Sequence, residues 1–253
     1  MIVTESALRE QLRRPSTGAS VRVPAGATLS PAAADFVAQW RLVLEEGPPG
    51  PRGDAGTWDR PSTFPVERNG DVPRCTSCGS QVTEKPDAMT QLNACHFAPK
   101  TAPRIRLRGR IDSLQAQVLL AGAQACAQGC PTLASHLGTV AAYCRELLSA
   151  EYNERPAAAP AVDGKDEEAI RQATHDPRAT LDIDHLTPSV TDPEMLHRLN
   201  VLRCDVREVE LVALEVFESP HHPFGASIVH GLNRLSSIVY YLELRLMREG
   251  GTW

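Results

Sequence analysis

The feature that most constrains this chain is a helical repeat of aliphatic residues through its C-terminal two thirds. From about residue 104 onward, large apolar side chains recur every three or four residues, which places them on one face of an α-helix. The first run contains Ile111, Leu114 and Val118 and ends near Gly129, and a second run follows at once. Long amphipathic helices joined by short connections favour an antiparallel bundle, here of about five helices.

Capping residues and breaks predict where the remaining helices begin and end. Thr132 is the predicted cap of the second helix, and Asp192 with Pro193 caps and starts the fourth. The other predictions are a short polar helix at 166–174, a polar loop at 175–188, an end of the fourth helix near 217, and a last helix at 225–248. The chain is therefore predicted to be mainly α-helical.

The N-terminal part has a different pattern and is predicted to be a small mixed α/β unit over residues 1–46. It comprises a helix at 4–12, strands at 20–24 and 42–44, and a helix that begins at Ser30-Pro31 and ends near Trp40. Residues 47–74 are rich in Gly and Pro and are predicted to be a flexible linker. Residues 75–103 form a polar segment with a cysteine pair, and residues 104–250 form the helical bundle.

Composition and charge exclude several classes of function. The formal net charge is -5 and basic residues do not cluster, which argues against a nucleic-acid-binding protein. No apolar run approaches the roughly 18 residues of a membrane span, and the first residues lack the pattern of a secretory signal. We therefore expect a cytoplasmic protein. In that reducing compartment the four cysteines in helical patterns are expected to be free thiols in the core: Cys126, Cys130, Cys144 and Cys204.

A charged stripe on the fourth predicted helix is the first candidate site. Arg203, Arg207 and Glu210 are spaced i, i+4 and i+7, so a helix presents all three on one side. The last helix carries Asn233 and Arg234 among aliphatic residues. Two guanidinium groups held by a carboxylate suit a phosphate-rich ligand. The alternative is a solvated helix face with local ion pairs.

Cysteines before the bundle form a second candidate site. Cys75 and Cys78, with Gly79 after them, have the spacing of a knuckle that binds one tetrahedral metal ion. One knuckle supplies only half of a site, and Cys95 and His96 are the next available ligands. The alternative is a pair of thiols without a metal.

Cationic residues surround the same segment. Lys85, Thr90, Lys100 and Arg104 precede or begin the first bundle helix, which also carries Asp112. Two cations and a hydroxyl before a helix can bind phosphates, although the glycine pattern of a Walker motif is absent. The alternative is an ordinary polar loop. The spacing of His and Asp between residues 175 and 185 is not that of a metal-dependent phosphohydrolase.

Taken in order, these motifs resemble those of the ethanolamine-utilisation (EutT-type) corrinoid adenosyltransferases, and the broader propanediol-utilisation type. The matching stretches are 85–90, 100–104, 111–113, 182–188, 199–210 and 232–236. The sharpest of them is the Asn-Arg-Leu-Ser sequence at 233–236, which follows a helix with an R-x3-R-x2-E pattern. The N-terminal unit is also similar.

The resemblance implies an ATP:cob(I)alamin adenosyltransferase that makes adenosylcobalamin for ethanolamine ammonia-lyase. It implies a homo-oligomer, a trimer or dimer, that binds ATP with Mg²⁺ and cobalamin near a subunit interface, in the cytoplasm or inside a bacterial microcompartment. By position it assigns ATP binding to seven residues: Lys85, Thr90, Lys100, Arg104, Arg207, Glu210 and Asn233. The last three are also its catalytic residues. It further implies that Asp112 and Arg203 form an ion pair that orders the site.

The metal motif departs from the family pattern, which is a histidine followed eleven residues later by C-C-x2-C. Cys75 and Cys78 match the last two cysteines, but Arg74 replaces the first, and no histidine precedes His96. We expect Cys95 and His96 to replace the missing ligands and to bind Zn²⁺ or Fe²⁺. A rival hypothesis follows from the same departure: a non-catalytic corrinoid- or metal-binding chaperone or sensor with this fold.

Reduction of Co(II) requires removal of its lower axial ligand, which an apolar wedge favours by excluding water and base. Three aliphatic residues alternate with polar ones in the loop after residue 180: Leu181, Ile183 and Leu186. We predict that these residues contact the lower face of the corrinoid. The N-terminal unit is a candidate for docking a partner or a microcompartment.

Overall fold

The computed structural model describes residues 2–9, 11–12, 17–46 and 72–253. The chain divides into two compact units, residues 1–71 and 72–253. The predicted linker at 47–74 lies almost entirely outside the described residues, and the division into four predicted segments stays a prediction. None of the described helices is long and apolar enough to cross a membrane.

The first unit is a small α/β arrangement. Its strands are β1 (Ile2–Val3), β2 (Ser20–Val23), β3 (Thr28–Leu29) and β4 (Val43–Glu46), and its helices are α1 (Glu5–Arg9) and α2 (Pro31–Trp40). β1 pairs with β3 and β2 with β4, both in parallel. Ser30 caps α2 as predicted, because its hydroxyl accepts a hydrogen bond from the Ala33 amide at 3.2 Å. A small core holds these elements together: Val3, Leu8, Val21, Val23, Ala33, Phe36 and Leu42.

The second unit begins with a three-stranded sheet. Its strands are β5 (Arg74–Cys75), β6 (Met89–Asn93) and β7 (His96–Pro99). The central strand β7 pairs in parallel with β5 and antiparallel with β6. The segment that the sequence predicted as a polar loop is therefore largely a hairpin, in which Phe97 and Ala98 are buried.

The rest of the second unit is a helical bundle. It consists of α3 (Pro103–Ala127), α4 (Pro131–Tyr152), α5 (Glu167–His175), α6 (Pro177–Leu181), α7 (Glu194–Val216) and α8 (Gly225–Arg248). The four long helices bury the aliphatic faces that the sequence predicted, for example Ile111, Leu114 and Val118 of α3. The mainly α-helical fold with a small mixed N-terminal unit is confirmed.

Four local predictions are corrected. α4 begins at Pro131, directly after Cys130, so Thr132 is its second residue rather than its cap. The loop predicted at 175–188 contains α6, because the side chain of Asp176 accepts a hydrogen bond from the Ala179 amide at 3.1 Å and starts a helical turn. α1 ends at Arg9 rather than at residue 12.

The fourth correction concerns the cysteines. All seven are free thiols, but Cys126 and Cys204 are exposed, while Cys130 and Cys144 are buried as predicted. Helical periodicity does not distinguish a core position from a flanking one for so small a residue.

Helices α8 and α4 approach each other closely at Gly231. A Cβ atom at Gly231 would collide with the hydroxyl of Tyr143. The Tyr143 hydroxyl itself donates to the carbonyl of Ala158 at 2.9 Å. Glycine at this position lets α8 approach the Tyr143 side chain of α4 closely, two residues before Asn233.

Candidate functional site

A cleft of about 640 Å³ lies between α7 and α8, with α5 and the loop after α6 along its side. The predicted stripe of α7 and the predicted asparagine of α8 meet in it. The lining residues are Thr174, His175, His185, Arg203, Arg207, Glu210, Leu211, Asn233, Ser236, Ser237 and Tyr240. Two arginines, three further titratable groups and several hydroxyls make this a polar cleft suited to an anionic ligand.

A direct hydrogen bond joins the two helices at the cleft. The Asn233 amide donates from Nδ2 to Oε1 of Glu210 at 2.9 Å. Arg234 donates to the Oδ1 atom of the same amide, which fixes the amide orientation. Glu210 and Asn233, which are 23 residues apart in sequence, are thereby held as one polar unit.

The two arginines of the stripe have different surroundings. Arg207 is exposed in the cleft and forms no ion pair with any residue that the structure describes. Arg203 is half-buried, and its guanidinium lies over the ring of Tyr240 at 5.1 Å from the ring centroid. The donors of Arg207 are therefore available to a ligand, whereas Arg203 is held by its neighbours.

Within the described chain, Arg203 forms an ion pair with a buried residue of α8. Its Nε atom lies 3.7 Å from Oε1 of Glu243, a side chain that is 1% exposed. Among the described residues no ion pair links Arg203 to Asp112, which is exposed on α3. Burial raises the pKa of Glu243 to about 7, and the charge of Arg203 opposes this rise.

Tyr240 connects α8 to the loop that follows α6. Its hydroxyl lies 3.1 Å from Nδ1 of His185 and accepts a hydrogen bond from the Leu186 amide at 3.3 Å. The rings of Tyr240 and His185 are nearly parallel, with centroids 6.3 Å apart. The loop is thus fastened to the rim of the cleft.

The three predicted lower-face residues differ in exposure. Leu181 is 5% exposed and belongs to the core, so it is not available as a wedge. Ile183 and Leu186 are half-buried, and Leu186 follows directly after the cleft residue His185. Ile183 and Leu186 thus remain partly accessible in the loop that contains His185, and the Leu186 amide is bonded to the cleft residue Tyr240.

The sequence did not single out Tyr240 or Glu243. Both continue the face of α8 that begins at Asn233, at i+7 and i+10. Extending the helical periodicity of the Asn233 face by two turns would have found Tyr240. The carboxylate of Glu243 was hidden because it stands among aliphatic residues at a position that periodicity assigns to the core.

The N-terminal candidates for ATP binding do not line this cleft. Arg104 bonds through Nε to Glu151 and through Nη1 to Oε1 of Glu154, the latter at 2.7 Å. Arg108 also bonds to Glu151, and it donates to the carbonyl of Gln91 at 2.9 Å. These arginines fasten α3 and the β6–β7 hairpin to the end of α4.

The other three N-terminal candidates lie on or beside the hairpin. Thr90 is a half-buried residue of β6, while Lys85 and Lys100 are exposed. The Lys100 amide donates to the carbonyl of Ala88 at 2.9 Å, which closes the hairpin end. Its side chain is left at the surface.

Of the four predicted metal ligands, Cys75 and Cys78 lie near each other, whereas Cys95 and His96 do not join them. The Cys78 thiol lies 3.4 Å from the hydroxyl of Ser80, and hydrogen bonding to Ser80 and then to Cys75 lowers the pKa of Cys78. His96 instead contacts Oδ1 of Asn93 through Nδ1 at 3.0 Å, and Cys95 is exposed. In residues 72–253, as in the rest of the described chain, no three cysteine, histidine or acidic side chains are grouped to hold a metal ion.

The prediction of a four-ligand metal site is therefore not supported by this arrangement. In the sheet, His96 is the partner of Arg74, and Cys75 is paired with Phe97. This register directs His96 toward Asn93 and Glu154 rather than toward the knuckle. The residues present do not fit a tetrahedral Zn²⁺ or Fe²⁺ site.

Comparison with known proteins identifies the class to which this fold and cleft belong. Residues 81–246 match the cobalamin adenosyltransferase family, so the chain belongs to that family. It is 30% identical over 251 residues to the corrinoid adenosyltransferase EutT of Salmonella typhimurium, covering 96% of this chain and 91% of the relative. It is 29% identical over 260 residues to EutT of Escherichia coli K12, with the same coverages. No solved structure matches.

Proposed function

We propose that the protein transfers the 5'-deoxyadenosyl group of ATP to reduced cobalamin, forming adenosylcobalamin. The observation that carries this proposal is the cleft in which Arg203, Arg207, Glu210 and Asn233 meet. Family membership supports the reaction, and the chemistry of the cleft supports the nucleotide. The product would serve ethanolamine ammonia-lyase.

The protein need not supply a nucleophile, because Co(I) of the substrate is itself a strong one. It has to align the 5' carbon of ATP with cobalt and to stabilise the departing tripolyphosphate. The unpaired donors of Arg207, together with Arg203, suit the polyphosphate with its Mg²⁺. The Glu210–Asn233 unit offers a fixed acceptor and donor that can orient the nucleoside.

The apolar residues next to the cleft suit the second substrate. We place the lower face of the corrinoid against Ile183 and Leu186, because the chain continues directly from the cleft residue His185 into this surface. Leu186→Ala should slow turnover when Co(II) substrate and a reductant are supplied, but not when preformed cob(I)alamin is supplied. Equal rates for the variant and wild type with Co(II) would remove Leu186 from this role.

A homo-oligomer with shared sites is part of the proposal. The cleft of one chain lacks Lys85, Thr90 and Lys100, which the resemblance assigns to ATP. Exposed aliphatic residues lie along α3 and α7, as expected of faces that contact another subunit. They are Leu119, Leu120, Val201, Leu211 and Leu214, and Leu211 also borders the cleft. A second copy could bring its own 85–100 segment to this edge.

The test is conversion of cob(I)alamin to adenosylcobalamin by the full-length protein with ATP, followed by absorbance, with tripolyphosphate as the second product. Arg207→Ala should lose most activity at low ATP, and Arg248→Ala, an exposed arginine at the end of α8, should not. Binding of cobalamin without conversion would refute the transferase and favour a chaperone or sensor. Sedimentation of the same samples measures the oligomeric state.

A further inference from the structure

A buried acidic residue lies directly beneath the cleft. Glu243 is 1% exposed, and its Oε1 atom lies 3.7 Å from Nε of Arg203. This is longer than a hydrogen bond, and neither atom has a hydrogen-bond partner among the described residues. Glu243 therefore interacts with Arg203 through charge alone.

Such an arrangement does not favour stability. A carboxylate oxygen buried without a hydrogen bond, as Oε1 of Glu243 is among the described residues, is expensive to desolvate, and the attraction of one partly exposed arginine compensates only in part. An apolar or neutral residue of similar volume would be at least as favourable at this place in α8. A carboxylate that does not favour stability and lies immediately below the cleft points to a role in the cleft.

The contacts of Arg203 show what that role is. Its Nε edge faces Glu243, one terminal nitrogen lies 3.4 Å from Oδ1 of Asn200, and one face of the guanidinium covers Tyr240. Tyr240 is fixed in turn by its bonds to His185 and Leu186. These restraints leave the remaining N–H groups of Arg203 on the side that lines the cleft.

We propose that Glu243 is a positioning residue, which holds the guanidinium of Arg203 at the floor of the cleft for the polyphosphate of the nucleotide. Glu243 contacts no substrate and acts through Arg203. The inference rests on the proposed function only in requiring that the cleft binds a polyphosphate. It does not depend on the chemistry at cobalt.

The experiment is a double-mutant cycle on binding, with ATP and inorganic tripolyphosphate as calorimetric probes of the full-length protein. Glu243→Gln should weaken both ligands about five- to tenfold, the loss of one charge-assisted contact. In an Arg203→Gln background the same substitution should change affinity less than about twofold, because the arginine on which it acts is gone. Glu208→Gln, an exposed site on α7, is the matched control.

Two further readouts distinguish positioning from a purely structural role. When the rate is measured at varied ATP, Glu243→Gln should raise KM more than it lowers kcat. The substitution should not lower the melting temperature at pH 8. Glu243→Asp moves the carboxylate away from Arg203, so its affinity for both ligands should lie between those of wild type and Glu243→Gln. This variant provides the test if Glu243→Gln does not fold.

Unchanged or tighter binding by Glu243→Gln would overturn the proposal, as would equal weakening in both backgrounds. If Glu243→Gln does not fold, wild-type affinity in Glu243→Asp would overturn it. Wild-type protein that binds neither probe would refute the nucleotide cleft itself, and the inference with it.

Discussion

Two regions of this chain carry arginines that the resemblance assigns to ATP, and the structure treats them in opposite ways. In the cleft between α7 and α8, Arg207 forms no ion pair with any described residue. Arg203 has a carboxylate partner, Glu243, but at 3.7 Å the two groups do not form a hydrogen bond. At the start of α3, Arg104 and Arg108 are both bonded to the fully buried Glu151. The same residue type is thus left open toward a cleft in one region and joins α3 to α4 in the other. Whether an arginine is available depends on the carboxylates that surround it.

The largest effect on stability is expected where Arg104 and Arg108 of α3 bond to Glu151 of α4. Glu151→Ala leaves two arginines without their shared partner in a half-buried place, and breaking such a buried pair typically costs about 3–5 kcal/mol. Thermal or urea unfolding of the purified protein measures this loss. Glu168→Ala, whose side chain is 77% exposed in a pair with Arg171, should change stability by less than about 0.5 kcal/mol. If both variants lost similarly little free energy of unfolding, the bond between Arg104 and Glu151 would not be needed for the stability of the fold.

The next effect concerns Glu243 and has a defined pH dependence. Burial raises the pKa of Glu243 from 4.5 to about 7, so between these values the folded protein binds more protons than the unfolded chain. The stability contribution of Glu243 therefore falls as pH rises through this window and levels off above about pH 7. Glutamine does not titrate, so Glu243→Gln should gain as much as about 3 kcal/mol over wild type between pH 4.5 and 8. Denaturant unfolding at several pH values measures the difference, and a constant difference would contradict it.

Arg207→Ala tests the other side of the comparison. Because the side chain is exposed and pairs with none of the residues that the structure describes, its removal should leave stability within about 0.5 kcal/mol of wild type. The KM for ATP should rise about 10- to 100-fold, as expected for loss of one or two charged hydrogen bonds to phosphate. Steady-state kinetics at varied ATP, with Arg248→Ala in parallel, give the result. Normal ATP kinetics would remove Arg207 from the site.

The smallest effect is expected at the cysteine knuckle. Since Cys95 and His96 are not grouped with Cys75 and Cys78, Cys95→Ser should leave the Zn²⁺ affinity of the protein within about twofold of wild type. Cys78→Ser should reduce whatever affinity the two thiols provide. Zn²⁺ titration against a competing chelator measures both. A large loss of Zn²⁺ affinity in Cys95→Ser would instead support the four-ligand site predicted from the sequence.

The comparison also shows which parts of the site were predictable. Arg203, Arg207 and Glu210 share one face of α7 because helical spacing alone places them there. Their meeting with Asn233 required knowledge of how α7 and α8 pack, and the resemblance supplied it in advance. The pairing of Arg203 with Glu243 was not predictable, because helical periodicity assigns position 243 to the apolar core. The pair of Arg203 with Asp112 stays a prediction.

Periodicity, capping and breaks in the sequence determined the helical bundle by themselves. They placed α8 at Gly225–Arg248 without error, because local backbone preferences and one apolar face fix those boundaries. Only the tertiary structure decided which charged side chains are paired with each other and which remain exposed. The exposure of Arg207, the commitment of Arg104 to Glu151, and the separation of His96 from the knuckle depend on contacts between residues far apart in sequence. Such contacts arise from packing, which no local pattern encodes.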